Sequence, residues 1–418
     1  MNTPVDEWIA REALPFDLNS PETFNAAVDL MAAALGDAPE LLGFGEALHG
    51  GEDILDLRNR LFQRLVEAHG YSAIAIESSF PRSQIVNEYV AGRGGATYDA
   101  VREAGFSHDF GALDANRRLV EWMRAVNTDP SRRATLRFYG FDTPTEMMYA
   151  DSPRQALYVT LDYLSAIDAD SARTYRERID PLIGDDAGWE NPMATMDPAQ
   201  SIGRSPAATA LRIETEDLIA ELSRRRPELI AWSDGLRYTE ALQYALAARQ
   251  LLNYHAAVAD APGPAVLLGM RDASMADNLA YIASRERGRG RVLVFAHNTH
   301  LQRGPAEWEL GGNALTWWPA GAHLGVIFGS RYAVIGSGVG VSDAHGIGAP
   351  EAGTLEARLT AAPGPGRFIP TRGGDGLSPA DVATLPVRSG SAKNPGYFPL
   401  SARSFTDFDW LAVLDSTG

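Results

Sequence analysis

The sequence predicts an α/β fold, a mostly parallel sheet flanked by helices and carrying a large helical insertion. Three observations point there. Short runs that are apolar on both faces alternate with helical patterns, as buried parallel strands do. Each run ends in a polar or ionisable residue followed by a turn. A long stretch, from about 154 to 260, carries helical periodicity with no convincing strand.

Leu41-Leu42-Gly43-Phe44 leads into Gly45-Glu46, and Ala73-Ile74-Ala75-Ile76 ends at Glu77. Leu136 to Phe141 ends at Asp142, and Val292 to Ala296 ends at His297. Ligands of open α/β sheets bind outside the carboxyl ends of the strands, so four strands deliver a polar or ionisable group to that edge. Between the first two, Ile54, Leu57, Leu61 and Leu65 recur at helical spacing and Gly70 stops the helix. The insertion follows. Its middle, Gly184 to Pro206, is rich in Asp, Gly, Pro, Met and Ser and reads as a long irregular loop. A second α/β half runs from Pro264 to Asp343 and includes Tyr332-Ala333-Val334-Ile335. Gly346 to Pro395 is dense in Gly and Pro and reads as a surface loop with at most short elements, and Trp410 to Leu414 is a final strand. The chain thus divides into 1–150 (N-terminal helix and first α/β half), 151–262 (helical insertion), 263–345 (second half) and 346–418 (loop and last strand).

Composition removes much chemistry. Of the 418 residues, 45% are hydrophobic and 22% charged, an ordinary globular balance. The net charge of −17 argues against nucleic acid or an anionic membrane as partner. Lys393 is the only lysine, so a lysine phosphate loop or a core Schiff base is excluded. With no cysteine there is no thiol nucleophile, zinc-thiolate site or iron–sulfur cluster. No basic n-region precedes an apolar stretch, and no run approaches the roughly 18 apolar residues of a membrane span. The expectation is a cytoplasmic protein; nothing specifies an oligomeric state.

Residues 43–51 superficially resemble a dinucleotide fingerprint, but Leu48 stands where the third glycine belongs, and acidic and imidazole groups occupy the pyrophosphate's space. No nucleotide cofactor is expected. Glu46 and His49 are three apart and can touch within one turn; a carboxylate raises an imidazole's pKa and fixes its tautomer, which orients a general base. The plainer alternative is a helix-capping glutamate and a surface histidine. Arg58 falls on the apolar face with Ile54, Leu61 and Leu65, and a buried guanidinium must be paired; Glu46 and Glu77 are the nearest candidates. Alternatively its stem lies along the core edge with the head in water. Glu77 could equally cap the next helix. His297-Asn298-Thr299-His300 places two histidines where they could face one cavity, as metal ligands or as proton donors and oxyanion stabilisers. His69 suits a helix C-terminus, whereas His108, His255, His323 and His345 show no partner pattern and read as surface or satisfied core groups. Trp317-Trp318 could line a pocket or simply pack. No Gly-x-Ser-x-Gly elbow occurs.

Taken in order, Gly-Glu-x-x-His-Gly at 45–50, Arg58 in Leu57-Arg58-Asn59-Arg60, Ile76-Glu77, Val86-Asn87-Glu88-Tyr89-Val90 and Phe141-Asp142 resemble the erythromycin esterase family. So do Arg271-Asp272 with Met275 and Asn278, and Ala296-His297-Asn298-Thr299-His300. The resemblance runs from about residue 40 to the C-terminus; Leu48 departs from it, because many members carry Thr or Ser there. It implies a hydrolase that opens macrolide lactones with no required metal or cofactor. His49 would be the base that activates water, Glu46 and Glu77 its acidic neighbours, and Arg58, His297 and His300 supporting residues. The substrate would be a small ester or lactone. Three other readings stay open. The same site could serve a natural-product cyclase, lyase or intramolecular acyl transferase. Glu46, His49, Glu77, His297 and His300 could bind a divalent metal. Or the chain could be a non-catalytic binder of a hydrophobic ligand, against which five clustered ionisable groups argue.

Overall fold

A computed structural model describes residues 3–93, 97–131, 135–143, 150–371, 377 and 379–417. Its strands are β1 (Leu14–Phe16), β2 (Leu41–Glu46), β3 (Tyr71–Ser79), β4 (Arg137–Asp142), β5 (Arg291–His297), β6 (Ala306–Leu310), β7 (Asn313–Trp317), β8 (Tyr332–Val341), β9 (Gly366–Pro370) and β10 (Trp410–Ser416). Eight of them form one sheet in the order β1-β9-β10-β8-β2-β5-β3-β4, and β6 and β7 form a separate hairpin. Every pair from β10 to β4 is parallel. Only β9, between β10 and β1, runs antiparallel to its neighbours.

The unbroken apolar runs are explained by cover on both faces. β2 and β3 are buried at every position. On one face Phe44, Ile74, Ile76 and Phe295 pack with Leu57, Leu61 and Leu65 of the helix Glu52–Ala68 and with Leu119 and Met123 of Asp114–Thr128. On the other, Leu41, Ala73, Ala75, Val292 and Val294 pack on Met275, Leu279 and Ile282 of the helix Pro264–Glu286. Burial of a large aliphatic side chain stabilises by about 1.5–3 kcal/mol, so this two-sided cover dominates the sheet's stability. Between β4 and β5 the helices Arg154–Ser165, Ala169–Ile183, Pro206–Arg224 and Gly235–Asp260 gather around a core of their own that includes Leu157, Leu161, Leu211, Leu218 and Leu252.

Two sequence expectations are corrected. Gly184 to Pro206 is not irregular throughout: it holds a short helix, Asp186–Trp189, and three single 3₁₀ turns. Asp185, Asn191, Asp197 and Ser201 each cap one of these with the side chain, so the residues read as loop formers act as local caps. Among the described residues Gly346 to Pro395 carries only short elements, as expected, but not all of them lie at the surface. It contains the helix Leu355–Thr360 and β9, a member of the main sheet. Within β9 the fully buried Arg367 donates to the Leu359 carbonyl at 2.9 Å and to Asp415 at 2.5 Å. Further on, the buried Arg388 donates to the carbonyls of Val339 and Gly340 at 2.6 and 2.7 Å, pinning the chain over β8. Among the described residues no helix is long and apolar enough to cross a membrane.

Candidate active site

The strand order β2-β5-β3-β4 aligns four carboxyl ends, so Glu46, His297, Glu77 and Asp142 share one edge. Glu46 is in register with His297. The junction is held by Asn298, which donates to the Ser337 carbonyl at 2.8 Å and accepts from the Ser337 N–H at 3.0 Å. Gly45 permits this, because a Cβ there would lie 2.3 Å from Asn298 Oδ1.

One limb of the site is open. His49 Nδ1 lies 2.6 Å from Glu46 Oε1, so the pair that the spacing allowed is formed. Glu46 is buried, but 39% of the His49 side chain is accessible and lines the cleft, which leaves Nε2 for a ligand. Burial alone would depress the His49 pKa; the carboxylates of Glu77 and Glu46 more than offset it, and the pKa is raised above the ordinary histidine value. Burial raises the Glu46 carboxyl, with His49 opposing.

The other limb, on the floor of the same cleft, is closely packed and nearly sealed from solvent, and it is centred on Arg271. Its Nη2 donates to Glu77 Oε1 at 2.8 Å and Asp142 Oδ2 at 2.6 Å, and its Nε donates to Asp142 Oδ1 at 3.0 Å. Glu77 Oε2 accepts the backbone N–H of His297 at 2.9 Å. Burial would raise the Glu77 carboxyl, but His300, His49 and Arg271 hold it well below the usual carboxylate range. His300 Nδ1 donates to Asp272 Oδ1 at 2.8 Å, and its Nε2 lies 3.4 Å from Glu77 Oε1. Asp272 is itself fixed by the Trp317 indole N–H at 2.7 Å and the Ala320 N–H at 2.8 Å. Burial opposes the imidazolium, yet Asp272 and Glu77 push the His300 pKa up to about 10, so it is a cation at neutral pH.

His297 behaves oppositely, 5.2 Å from the His49 ring. Its Nδ1 accepts from the Thr299 N–H at 3.2 Å and meets the Thr299 hydroxyl at 2.7 Å, which leaves Nε2–H to donate to the Gly396 carbonyl at 3.0 Å. Burial, with the nearby His49, pushes its pKa down to about 3. It is a neutral strut with both nitrogens engaged. The cleft above these groups holds ≈ 290 Å³ and is walled by Leu268, Trp308, Trp317 and Phe398, aromatic and aliphatic surface around a charged floor.

The structure therefore brings Glu46, His49, Glu77, His297 and His300 together. Arg58 is buried beneath them, but the expected ion pair is absent. Among the described residues no carboxylate lies within 4.0 Å of it. Instead Nε and Nη2 donate to Asn59 Oδ1 at 3.1 and 2.7 Å, and the guanidinium stacks 4.7 Å from the Phe295 ring centre. Burial lowers its pKa to about 10. His108, expected to be a surface or core group, lines the cleft, with Nε2 3.4 Å from Arg271 Nη2. It and Asp109 are both left-handed (φ 59° and 54°), a backbone that His and Asp tolerate better than most residues and that no spacing rule announces. Asp142 was legible as a strand end, but its partner Arg271, 129 residues away, was not. Of Trp317-Trp318, the first lines the cleft and the second is exposed.

The five-ligand metal arrangement does not form. Among the described residues only Glu77, His108 and Asp142 bring ligand atoms within 4.8 Å of one another. Arg271 Nη2 reaches all three, so a guanidinium stands where a divalent ion would have to.

A buried acid–base set at the carboxyl edge of a parallel sheet, under an apolar cleft, is the arrangement of a small-molecule enzyme. The family model for erythromycin esterase matches residues 66–414, and the chain belongs to that family. It is 22% identical over 337 residues to erythromycin esterase type II of Escherichia coli, covering 79% of this chain and 76% of that one. Its fold matches a protein of Bacillus cereus (TM-score 0.78, 19% identity, 99% and 97% of the two chains). It also matches a histidine-to-asparagine variant of the erythromycin esterase EreC in its open conformation (TM-score 0.71, 18% identity, 97% of each chain). Glu46, His49 and Arg58 lie before the matched segment, so their placement rests on the structure.

Proposed function

We propose that this chain hydrolyses an ester or lactone of macrolide type, with His49 activating water. The observation that carries the reading is one imidazole, anchored by Glu46 at Nδ1 and presenting Nε2 to an apolar cleft, opposite two buried cations. Ester hydrolysis needs a base for water, donors for the oxyanion and a proton for the leaving alkoxide. Neutral His49 takes a proton from water as the oxygen adds to the acyl carbon. Arg271 and His300 hold the negative charge that develops on the carbonyl oxygen. Collapse breaks the acyl–oxygen bond, and the His49 proton passes to the alkoxide. Glu77 keeps both cations in place. His297 serves by fixing the Gly396 segment that forms a wall of the cleft. Family membership and the Escherichia coli relative's name support the substrate class.

The test is mass spectrometry of a panel of macrolides and simpler lactones incubated with wild type and His49→Ala. The expected product gains one water, and its formation falls by about 10²–10⁴-fold in the variant while the chain stays folded. Hydration of no lactone would return the site to acyl transfer or lyase chemistry, and substantial residual turnover would remove His49 as base. Because only neutral His49 is a base, the acid limb of kcat/KM should lie above the ordinary histidine value of 6.5.

A further inference from the structure

Beneath the catalytic edge lies a second, much smaller space of ≈ 10 Å³, bounded by Glu46, Arg58, Asn116, Phe110, Phe295 and Ile76. Three polar groups face it. Glu46 uses Oε1 for His49, and among the described residues its buried Oε2 has no hydrogen-bond partner. Asn116 donates through Nδ2 to the Phe110 carbonyl at 2.9 Å, and its Oδ1 is likewise buried without a partner. Arg58 lines the same space, and its side-chain bonds run from Nε and Nη2 to Asn59 Oδ1 at 3.1 and 2.7 Å, with the rest of the guanidinium available as a donor. Two acceptors and one donor are the complement of a water molecule, which offers two O–H groups and accepts in return. A buried water makes about three such bonds and needs about 10–15 Å³ for its centre.

We infer that one ordered water occupies this space, donating to Glu46 Oε2 and Asn116 Oδ1 and accepting from Arg58, and that through it Asn116 and Arg58 position His49. The water carries the Arg58 cation's influence to a carboxylate it does not touch. It stabilises Glu46 as the anion, and an anionic Glu46 fixes the tautomer and orientation of His49. Asn116 is thereby a positioning residue two steps from the reacting atoms. Its link to catalysis rests on the base role proposed above; the water and the titration of His49 do not.

The experiment uses the full chain. A crystal structure at a resolution that shows ordered water is expected to place one peak within about 3.2 Å of Glu46 Oε2, Asn116 Oδ1 and Arg58. Nitrogen-15 NMR titration of His49 is then compared between wild type and Asn116→Leu, which has a similar volume and no acceptor. With the water expelled, the Glu46 charge is harder to hold, His49 keeps its proton less firmly, and its pKa should fall by about one unit. The acid limb of kcat/KM should move down with it. An empty space in the wild-type density, or an unchanged His49 titration, overturns the inference. If Asn116→Leu does not fold, the wild-type density alone decides. Absence of ester hydrolysis together with the peak and the shift would reject the hydrolase reading and leave this one standing.

Discussion

The two limbs of the site use the same residue types to opposite ends. On the open limb a single Glu–His pair leaves one imidazole nitrogen facing the cleft. On the sealed limb Glu77, Asp142 and Asp272 are locked by Arg271, His300 and the Trp317 indole, each bond between buried partners. Reactivity lies where partners are few and solvent reaches; rigidity lies where each buried carboxylate is paired. A buried charge with one partner removed costs about 3–5 kcal/mol, so the sealed limb is stable only as a complete set.

That contrast is broken most forcefully at Arg271. Arg271→Ala strands two buried carboxylates and should lower stability by about 3–5 kcal/mol, with turnover lost as well. His49→Ala, on the open limb, takes one partly exposed partner from Glu46, a carboxyl already raised by burial and able to take up a proton, so it should lose turnover with a smaller loss of stability than Arg271→Ala. Denaturant melts of the two variants read the difference directly, and equal destabilisation would erase the distinction between the limbs.

The pH dependence of stability sharpens it further. His300 has a folded pKa raised to about 10, so between the ordinary value near 6.5 and about 10 the folded chain keeps a proton that the unfolded chain has lost. Its stabilisation is therefore full below 6.5 and declines as pH rises toward 10. For His297, depressed to about 3, the unfolded chain binds the extra proton between about 3 and 6.5, so stability falls as pH drops through that window. Melting temperatures of His300→Gln and His297→Gln across pH 4–10 should each flatten one side of the wild-type curve. Both variants flattening the same side would show that the two charge states have been misassigned.

How much of this was legible follows from the range of each signal. Apolar runs ending in Glu46, Glu77, Asp142 and His297 are local patterns, and the parallel order then puts them on one edge. Glu46 and His49 are neighbours in the chain, so their contact could be read from spacing. The centre of the sealed limb could not. Arg271 sits within a long helix, and its contacts with Glu77 and Asp142 span 194 and 129 residues. The expected partner of Arg58 was missed for a related reason: burial demanded compensation, but the sequence does not show that Asn59 and a ring face would supply the direct contacts. β9 escaped notice because glycine and proline frame a strand only five residues long.

The smallest effect concerns the wall that the sealed limb supports. Phe398 meets the His297 ring edge-on with ring centres 5.0 Å apart and lies 6.2 Å from Trp308, while its backbone N–H donates to the Ala47 carbonyl at 3.1 Å. Its side chain lines the cleft. Phe398→Ala should therefore raise KM for a bulky apolar lactone by about 10-fold, the value of roughly 1–2 kcal/mol of lost apolar contact, with kcat within about 2-fold. A compact lactone, which does not reach that wall, should show little change in either constant. If kcat falls instead, the edge-on Phe398–His297 contact is holding the reacting groups as well as the substrate, and the division between floor and wall is less sharp than the separate bonding of His49 and His297 implies.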